Sequence, residues 1–179
     1  MRKLYFHEDD YLQVEMVPVS ALAHCTDEMR ESDAFSAAHW NGIAWTKMYL
    51  LDDHSAYLKH LGIPIHEIAP KLDSILERVD EVSTGYSTYR ERCSNTKAWV
   101  FPCSCGLLAD YDADGVVLHL WLVREPPDVE HFGKFKEVVG VLEAYSQFVI
   151  VDWPKGHLLQ CADDDRMRRY FIDPFDGES

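Results

Sequence analysis

A tight turn at Asp112-Ala113-Asp114-Gly115, set between two apolar arms, constrains the fold of this chain more than any other feature. The arms run from Lys97 to Tyr111 and from Val116 to Arg124, and both contain the β-branched and aromatic residues that favour strands. Aspartate and glycine accept the positive backbone dihedral angles that a tight hairpin requires. The pattern therefore predicts a central β-hairpin over about residues 97–124, and with it an antiparallel sheet.

Helical periodicity explains the longest apolar stripe. It follows Pro126-Pro127 and continues to Tyr145 at spacings of three and four residues, which predicts the main helix over about residues 128–146. Further helices are predicted after Ser20, from Ser55 to Leu61 with Gly62 as C-terminal cap, from Pro70 with Leu72, Ile75, Leu76 and Val79 on its apolar side, and from Asp163 onward. Strands and helices alternate without a regular βαβ rhythm. We therefore expect an α+β fold, with helices packed on a mostly antiparallel sheet.

Other strands are predicted from alternation and β-branched runs. Tyr11 to Val17 has the period of a half-buried strand with Gln13 and Glu15 on the solvent side. The remaining strands are predicted at Ile43 to Leu51 after an Asn41-Gly42 turn, at Phe148 to Trp153, and at His157 to Cys161 after a turn at Pro154-Lys155-Gly156. A length of 179 residues suits one globular domain, 1–179.

The five tryptophans divide by position. Trp45, Trp99 and Trp121 lie inside predicted strands, and we expect them in the core. Trp40 and Trp153 lie at the ends of predicted elements, where an indole is partly exposed and available to a partner.

The charge balance narrows the classes of partner. There are 17 Lys and Arg residues against 31 Asp and Glu residues, which gives a formal charge of −14. Such a surface repels phosphate backbones and anionic lipid heads, so neither nucleic acid nor membrane is expected as a partner. The N-terminal residues turn acidic before a signal peptide begins, and five cysteines are an odd number, so we expect reduced thiols and a cytoplasmic location.

Sequence motifs for chemistry are incomplete. Residues 110–115 match the first half of a calcium loop, but the acid required twelve residues from its start would fall at Trp121, so a hairpin turn is the better interpretation. Cys103 and Cys105 form one close pair without a second cluster, which favours buried thiols over a zinc site. We predict that none of the histidines spread over strands, helix edges and turns has a fixed partner, among them His39, His54, His60, His66, His119 and His157. We therefore predict no catalytic residue, no metal ligand and no cofactor.

Two segments carry a resemblance to a known class. They are Ala109 to Val123, with its acidic turn between apolar arms, and Val149-Ile150-Val151-Asp152-Trp153. Together with the acidic composition, these segments resemble the immunity proteins that bacteria use against polymorphic or contact-dependent toxins. The resemblance is one of type and transfers no functional residue. It implies a protein-binding inhibitor whose partner is a basic toxin domain, often a nuclease.

Acidic and aromatic residues at element ends are the candidate contacts for such a partner. They are Glu8, Asp9, Asp10, Trp40, Asp52, Asp53, Asp112, Asp114 and Trp153. If the acids converge on one rim, they would steer a basic partner toward it.

Two other functional classes stay open. A small enzyme with a site assembled from scattered Asp, His and Cys residues predicts a pocket with shifted pKa values. An oligomeric accessory protein predicts an apolar, self-complementary patch.

Overall fold

The computed structural model describes residues 1–86, 88–102, 105–123 and 132–172. Within them the helices are α1 (Leu22–Ala38), α2 (Ser55–Leu61), α3 (Ile65–Asp73), α4 (Phe132–Leu142) and α5 (Asp164–Ile172). The strands are β1 (Lys3–His7), β2 (Val14–Pro18), β3 (Glu77–Arg78), β4 (Glu81–Gly85), β5 (Glu91–Arg92), β6 (Thr96–Val100), β7 (Gly106–Tyr111), β8 (Val117–Val123), β9 (Phe148–Asp152) and β10 (His157–Gln160).

The strands form two sheets. The larger sheet has the order β10-β9-β2-β8-β7-β6-β3, and each neighbouring pair is antiparallel. The smaller sheet has the order β1-β4-β5, in which β1 and β4 are parallel and β4 and β5 are antiparallel. The predicted α+β fold with a mostly antiparallel sheet is confirmed.

The large sheet is covered on both faces. On one face, apolar residues of α2, α3, α4 and α5 form the main core with residues such as Met16 and Ile150. On the other face, the small sheet packs on β6, β7 and β8, while α1 packs on β2 and β9. Because β2 lies between these covered faces, all five of its residues are buried, including Glu15. The prediction that Glu15 faces solvent is wrong, because β2 is a central strand and not a half-exposed one.

The predicted hairpin is confirmed for β7 and β8, and its predicted first arm is divided into two strands. Strands β7 and β8 pair across the acidic turn, with Gly115 at φ 77°. The first arm is two strands, β6 and β7, which pair antiparallel with each other. The predicted strands at 148–153 and 157–161 are confirmed as the pair β9 and β10.

Two segment predictions are wrong. The helix predicted from Pro70 begins earlier, at Ile65, since its buried stripe of Ile65, Ile68 and Leu72 lies mostly before the proline. It ends at Asp73, and β3 and β4 follow. The strand predicted at 43–51 is absent, because those residues find no neighbouring strand and are exposed at all positions except the half-buried Tyr49.

The helix predicted at 128–146 is observed as Phe132–Leu142. Residues 124–131, on which its predicted start falls, lie outside the described part of the chain.

Trp99 and Trp121 are fully buried as predicted, whereas Trp45 is 62% exposed and the prediction that it belongs to the core is wrong. None of the described helices has the length and apolar character that crossing a bilayer requires.

Gly62 and Gly140 provide a test of the described backbone. Gly62 caps α2 at φ 62°, and a Cβ there would touch nothing within 4 Å, so Gly62→Ala should destabilise the protein by about 1 kcal/mol through conformation alone. Gly140 lies inside α4 with equal space around it, so Gly140→Ala should stabilise by about 0.5–1 kcal/mol. Urea denaturation measures both changes. Equal signs for the two variants would contradict the assigned conformations.

Candidate functional site

Three of the four buried polar or charged side chains in the described residues, Glu15, Glu28 and His54, lie together. Glu15 is in β2, Glu28 is in α1, and His54 immediately precedes α2. Their exposed fractions are 4%, 4% and 2%. Charges buried this deeply cost several kcal/mol each unless they are paired. The contacts among these three side chains therefore decide whether their burial is compatible with a stable fold.

Local structure explains why these groups meet. Along β2, Met16 belongs to the core on the face covered by α2, α3, α4 and α5. Because side chains alternate along a strand, Glu15 and Val17 point to the opposite face, where α1 packs. On α1, Cys25 and Met29 contact that same face, and Glu28 precedes Met29. The chain then leaves α1, runs over the surface and returns at His54.

His54 bridges the two glutamates. Its Nε2 lies 2.8 Å from Glu28 Oε2, and its Nδ1 lies 3.3 and 3.4 Å from the two Glu15 oxygens. Burial alone would lower the pKa of His54, but hydrogen bonding to the Cys25 thiol and to the Glu15 carboxylate outweighs burial, and its pKa rises to about 11. At neutral pH the imidazole is therefore a cation whose two N–H groups donate to two carboxylates.

Trp153 covers this arrangement. Its Nε1–H donates to Glu15 Oε1 at 2.9 Å, and its ring stacks on His54 with centroids 5.6 Å apart and planes 7° from parallel. A flat cationic ring over an indole face adds a cation–π attraction. Trp153 was predicted to be partly exposed, and it is half-buried, with its polar edge and one face used internally.

His24 and Asp52 extend the site to the surface. His24 lies four residues before Glu28 on α1, and its Nε2 is 3.9 Å from Glu28 Oε2 and 3.1 Å from Asp52 Oδ2. The Asp52 backbone N–H donates to Glu28 Oε1. We call Glu15, His24, Glu28, Asp52 and His54 the histidine cluster.

Residues 40–53 connect α1 to α2, and we call them the exposed segment. Of the eleven exposed large apolar side chains in the described part of the chain, six lie in this segment, namely Trp40, Ile43, Trp45, Met48, Leu50 and Leu51. The predicted Asn41-Gly42 turn is present, since Asn41 Oδ1 accepts the N–H groups of Ile43 and Ala44 and Gly42 has φ 93°. The Trp40 and Trp45 rings lie 4.9 Å apart.

The predicted acidic residues near α2 have internal partners. Asp53 Oδ1 accepts the Ser55 N–H at 2.8 Å and lies 3.7 Å from His119 Nε2. Asp112 Oδ1 accepts the N–H groups of Asp114 and Val116, each at 3.0 Å. Backbone hydrogen bonds, from Ser55 to Asp53 and from Val116 to Asp112, lower the pKa of both carboxyls.

Contacts of α2 connect these acids to one another. Lys59 on α2 lies 3.6 Å from Asp112, and α2 packs against β2 and β8. Asp52 and Asp53 immediately precede the same helix. The acids of the exposed segment therefore lie near the N-terminal end of α2, and Asp112 of the β7–β8 turn lies near its C-terminal end.

Glu8, Asp9 and Asp10 form a one-turn 3-10 helix after β1, and all three are exposed. The next residue, Tyr11, donates its hydroxyl to Asp110 at 3.0 Å and packs edge-on against His119. Burial and then the Asp110 carboxylate raise the pKa of Tyr11, and Asp53 adds to the same effect. Thus Tyr11 and His119 connect the N-terminal acids to Asp53. Partner binding by any of these residues stays a prediction.

The histidine cluster was missed at the level of sequence. The prediction that histidines have no fixed partner is wrong for His54, which contacts two carboxylates. The signal available was His24 and Glu28 at a four-residue spacing on a helix. Glu15 gave a misleading signal, since its alternation with Val14 and Met16 is also that of a surface position.

The other candidate motifs do not form sites in the described residues. The Asp112–Gly115 turn joins two strands and has no following helix, as the hairpin interpretation requires. Cys105 is buried, and Cys103 lies outside the described residues. An open cavity of about 360 Å³ beside β3, β4 and β6 is lined by Arg78, Glu81, Arg92 and Lys97 among others, and it is separate from the histidine cluster.

Comparison of the chain with protein-family models, with curated proteins and with solved structures finds no match.

Glu28 and Glu31 on α1 allow a matched test of the cluster. Glu28→Ala leaves His54 and the Asp52 amide without their shared acceptor in a buried site, so it should destabilise the protein by about 3–5 kcal/mol. Glu31 is exposed and accepts one long hydrogen bond from Tyr49, so Glu31→Ala should change stability by less than about 0.5 kcal/mol. Chemical denaturation measures both. A cost below about 1 kcal/mol for Glu28→Ala would contradict the buried geometry.

Proposed function

We propose that this protein is a stoichiometric protein-binding inhibitor, an immunity protein that neutralises a cognate toxin with a basic surface. The observation that carries the proposal is the exposed segment, residues 40–53. It concentrates six exposed large apolar side chains in one stretch of a chain with a formal charge of −14. Contiguous apolar side chains that remain in water mark sites of interaction with other proteins.

The exposed segment has the composition of an interface anchor. Trp45 is 62% exposed, while Ile43 and Met48 are 89% and 84% exposed. Tryptophan and methionine are enriched at the centres of interfaces, where a few buried side chains supply most of the binding free energy. In the free protein these side chains gain little from packing, so their burial against a partner is available as binding energy.

The acids around α2 supply the second requirement, which is selection of a basic partner. Asp52 and Asp53 end the exposed segment, just before α2, while Asp112 contacts Lys59 in the last turn of α2 and Asp114 lies in the same β7–β8 turn. Acidic groups beside an apolar anchor accelerate association with a basic surface and disfavour acidic competitors. Many toxins that cleave nucleic acids have basic clefts, and the resemblance to immunity proteins makes such a toxin the partner of this proposal.

Anchoring of the exposed segment supports its use as a binding element. Its C-terminal end is held at Asp52 by Glu28 and His24. Thr46, near its middle, is held by hydrogen bonds to the His39 carbonyl. A connection fixed at two points loses less conformational entropy on binding than a free loop does.

The first experiment identifies the partner and then measures it. Tagged wild-type protein is used to capture partners from host lysate, and each purified partner is tested for growth arrest when expressed alone and for rescue by the wild-type chain. We expect one basic toxin domain, bound in equal amount, whose toxicity is relieved by co-expression. Trp45→Ala should raise its Kd by about 30-fold, equivalent to the 2 kcal/mol of an interface hot spot. Tyr86→Ala, at a side chain 58% exposed outside the segment, is the control and should bind as wild type does.

The contribution of charge is tested with two acidic residues other than Asp53 and Asp112, whose carboxylates accept backbone N–H groups. Glu8→Gln combined with Asp114→Asn should lower the association rate several-fold and leave the dissociation rate nearly unchanged, since exposed charges act mainly on encounter. Surface plasmon resonance at low and high salt gives both rates. The effect should shrink as salt shortens the screening length.

Three results would contradict the proposal. They are the absence of any basic partner at low salt, equal binding by wild type and Trp45→Ala, and a homodimer in light scattering that Trp45→Ala dissociates. The third result would favour an oligomeric accessory protein.

A further inference from the structure

His24, Glu28 and His54 place three metal-binding atoms together beside the N-terminal half of α1. The two imidazole nitrogens and the carboxylate oxygen all lie within 4.8 Å of one another. Glu28 and His54 have side chains 3% and 2% exposed, while His24 is 39% exposed. The group is thus enclosed on its inner side and reachable from solvent on its outer side.

The distances fit one tetrahedral ion. Zinc bonds of 2.0–2.1 Å in a tetrahedral site place neighbouring ligand atoms about 3.3 Å apart. Here His54 Nε2 and Glu28 Oε2 are 2.8 Å apart, His24 Nε2 and Asp52 Oδ2 are 3.1 Å apart, and His24 Nε2 and Glu28 Oε2 are 3.9 Å apart. The His24, Glu28 and His54 atoms all lie within 4.8 Å of one another, so small side-chain rotations would bring these three to the separations of a tetrahedral site.

The surroundings of His54 match those of a metal-ligating histidine. Its Nδ1 faces the Glu15 carboxylate, which leaves Nε2 directed toward the centre of the group. A metal ion would replace the proton on Nε2, so binding releases that proton to solvent. Glu15 is itself held by the Trp153 indole N–H. Metal-bound histidines commonly donate their second N–H to a carboxylate, which fixes the ring and increases its basicity.

We propose that His24, Glu28 and His54 bind one divalent transition-metal ion, for which Zn²⁺ is the matching probe, and that the exposed Asp52 carboxylate beside His24 turns toward the ion as the fourth ligand. Imidazole nitrogens with carboxylate oxygens suit zinc and its neighbours, whereas calcium and magnesium prefer oxygen ligands alone. The ion joins α1, the end of the exposed segment and the start of α2. Its role is structural, and it stands independently of the proposed inhibitor function.

Calorimetric titration of chelator-stripped full-length protein with Zn²⁺ tests the site. We expect one equivalent bound and a rise in melting temperature with zinc. His24→Ala should weaken binding by more than about 100-fold, beyond the effect of losing an outer-shell partner, while its partly exposed position preserves the fold, as circular dichroism would verify. His60→Ala is the matched control, because His60 is an exposed histidine of α2 outside the cluster, and it should bind one equivalent unchanged.

X-ray absorption of the zinc-loaded wild type gives a second readout that does not depend on a variant. We expect only nitrogen and oxygen neighbours, at about 2.0–2.1 Å, two of them imidazoles. A sulfur neighbour would overturn the assignment and place zinc on cysteine. Equal binding by His24→Ala and wild type, or no binding by the wild type of Zn²⁺ or Co²⁺, would overturn it as well.

The metal proposal and the inhibitor proposal can be contradicted independently of each other. Trp45→Ala should bind zinc as wild type does, since Trp45 does not belong to the cluster. His24→Ala should lose zinc whether or not a protein partner exists.

Discussion

Much of this structure depends on one buried ion pair. Glu15, on the central strand β2, pairs with His54, which ends the long connection between α1 and α2. Glu15 lies opposite Val151 on β9 and opposite Trp121 on β8, so its carboxylate is enclosed by apolar neighbours on two sides. An ion there requires a counterion with good geometry. His54 and the Trp153 indole meet that need. The connection between α1 and α2 must therefore end at the Glu15 side chain, and the residues that precede His54 remain on the surface.

This requirement relates the interior to the proposed binding surface. Because His54 and Asp52 are held against Glu28, the exposed segment has a fixed end even though its own residues pack little. Replacing a buried ion pair by apolar residues is often neutral or stabilising, so ion pairs of this kind do not serve stability alone. The cluster fixes the position of a connection that has no regular secondary structure between residues 41 and 53. A metal ion at the same group would strengthen the same junction.

Electrostatics separates two kinds of acid in this chain. Asp53 and Asp112 accept backbone N–H groups and fix local turns, so they contribute first to folding. Glu8, Asp9 and Asp114 are exposed, and their charge acts mainly on what approaches. The net charge seen from the sequence sums both kinds, and only the hydrogen-bond partners distinguish them.

The sequence by itself determined the elements whose signals are local. The β7–β8 hairpin follows from the Asp112–Gly115 turn, the cap of α2 follows from Gly62, and the core positions of Trp99 and Trp121 follow from their strand patterns. Each of these depends on neighbours a few residues away, where backbone dihedral preferences and periodicity act. Two predictions from local patterns were wrong. Alternation placed Glu15 in solvent, and composition placed a strand at residues 43–51, but strand pairing and burial depend on distant partners.

Tertiary structure alone decided the histidine cluster and the exposed segment. Glu15, Glu28 and His54 are separated by 13 and 26 residues in the chain, and they meet only because α1 packs across β2. No local pattern encodes such a meeting. Its physical origin is the coverage of both faces of one sheet, which buries the Glu15 carboxylate and leaves His54 as its counterion.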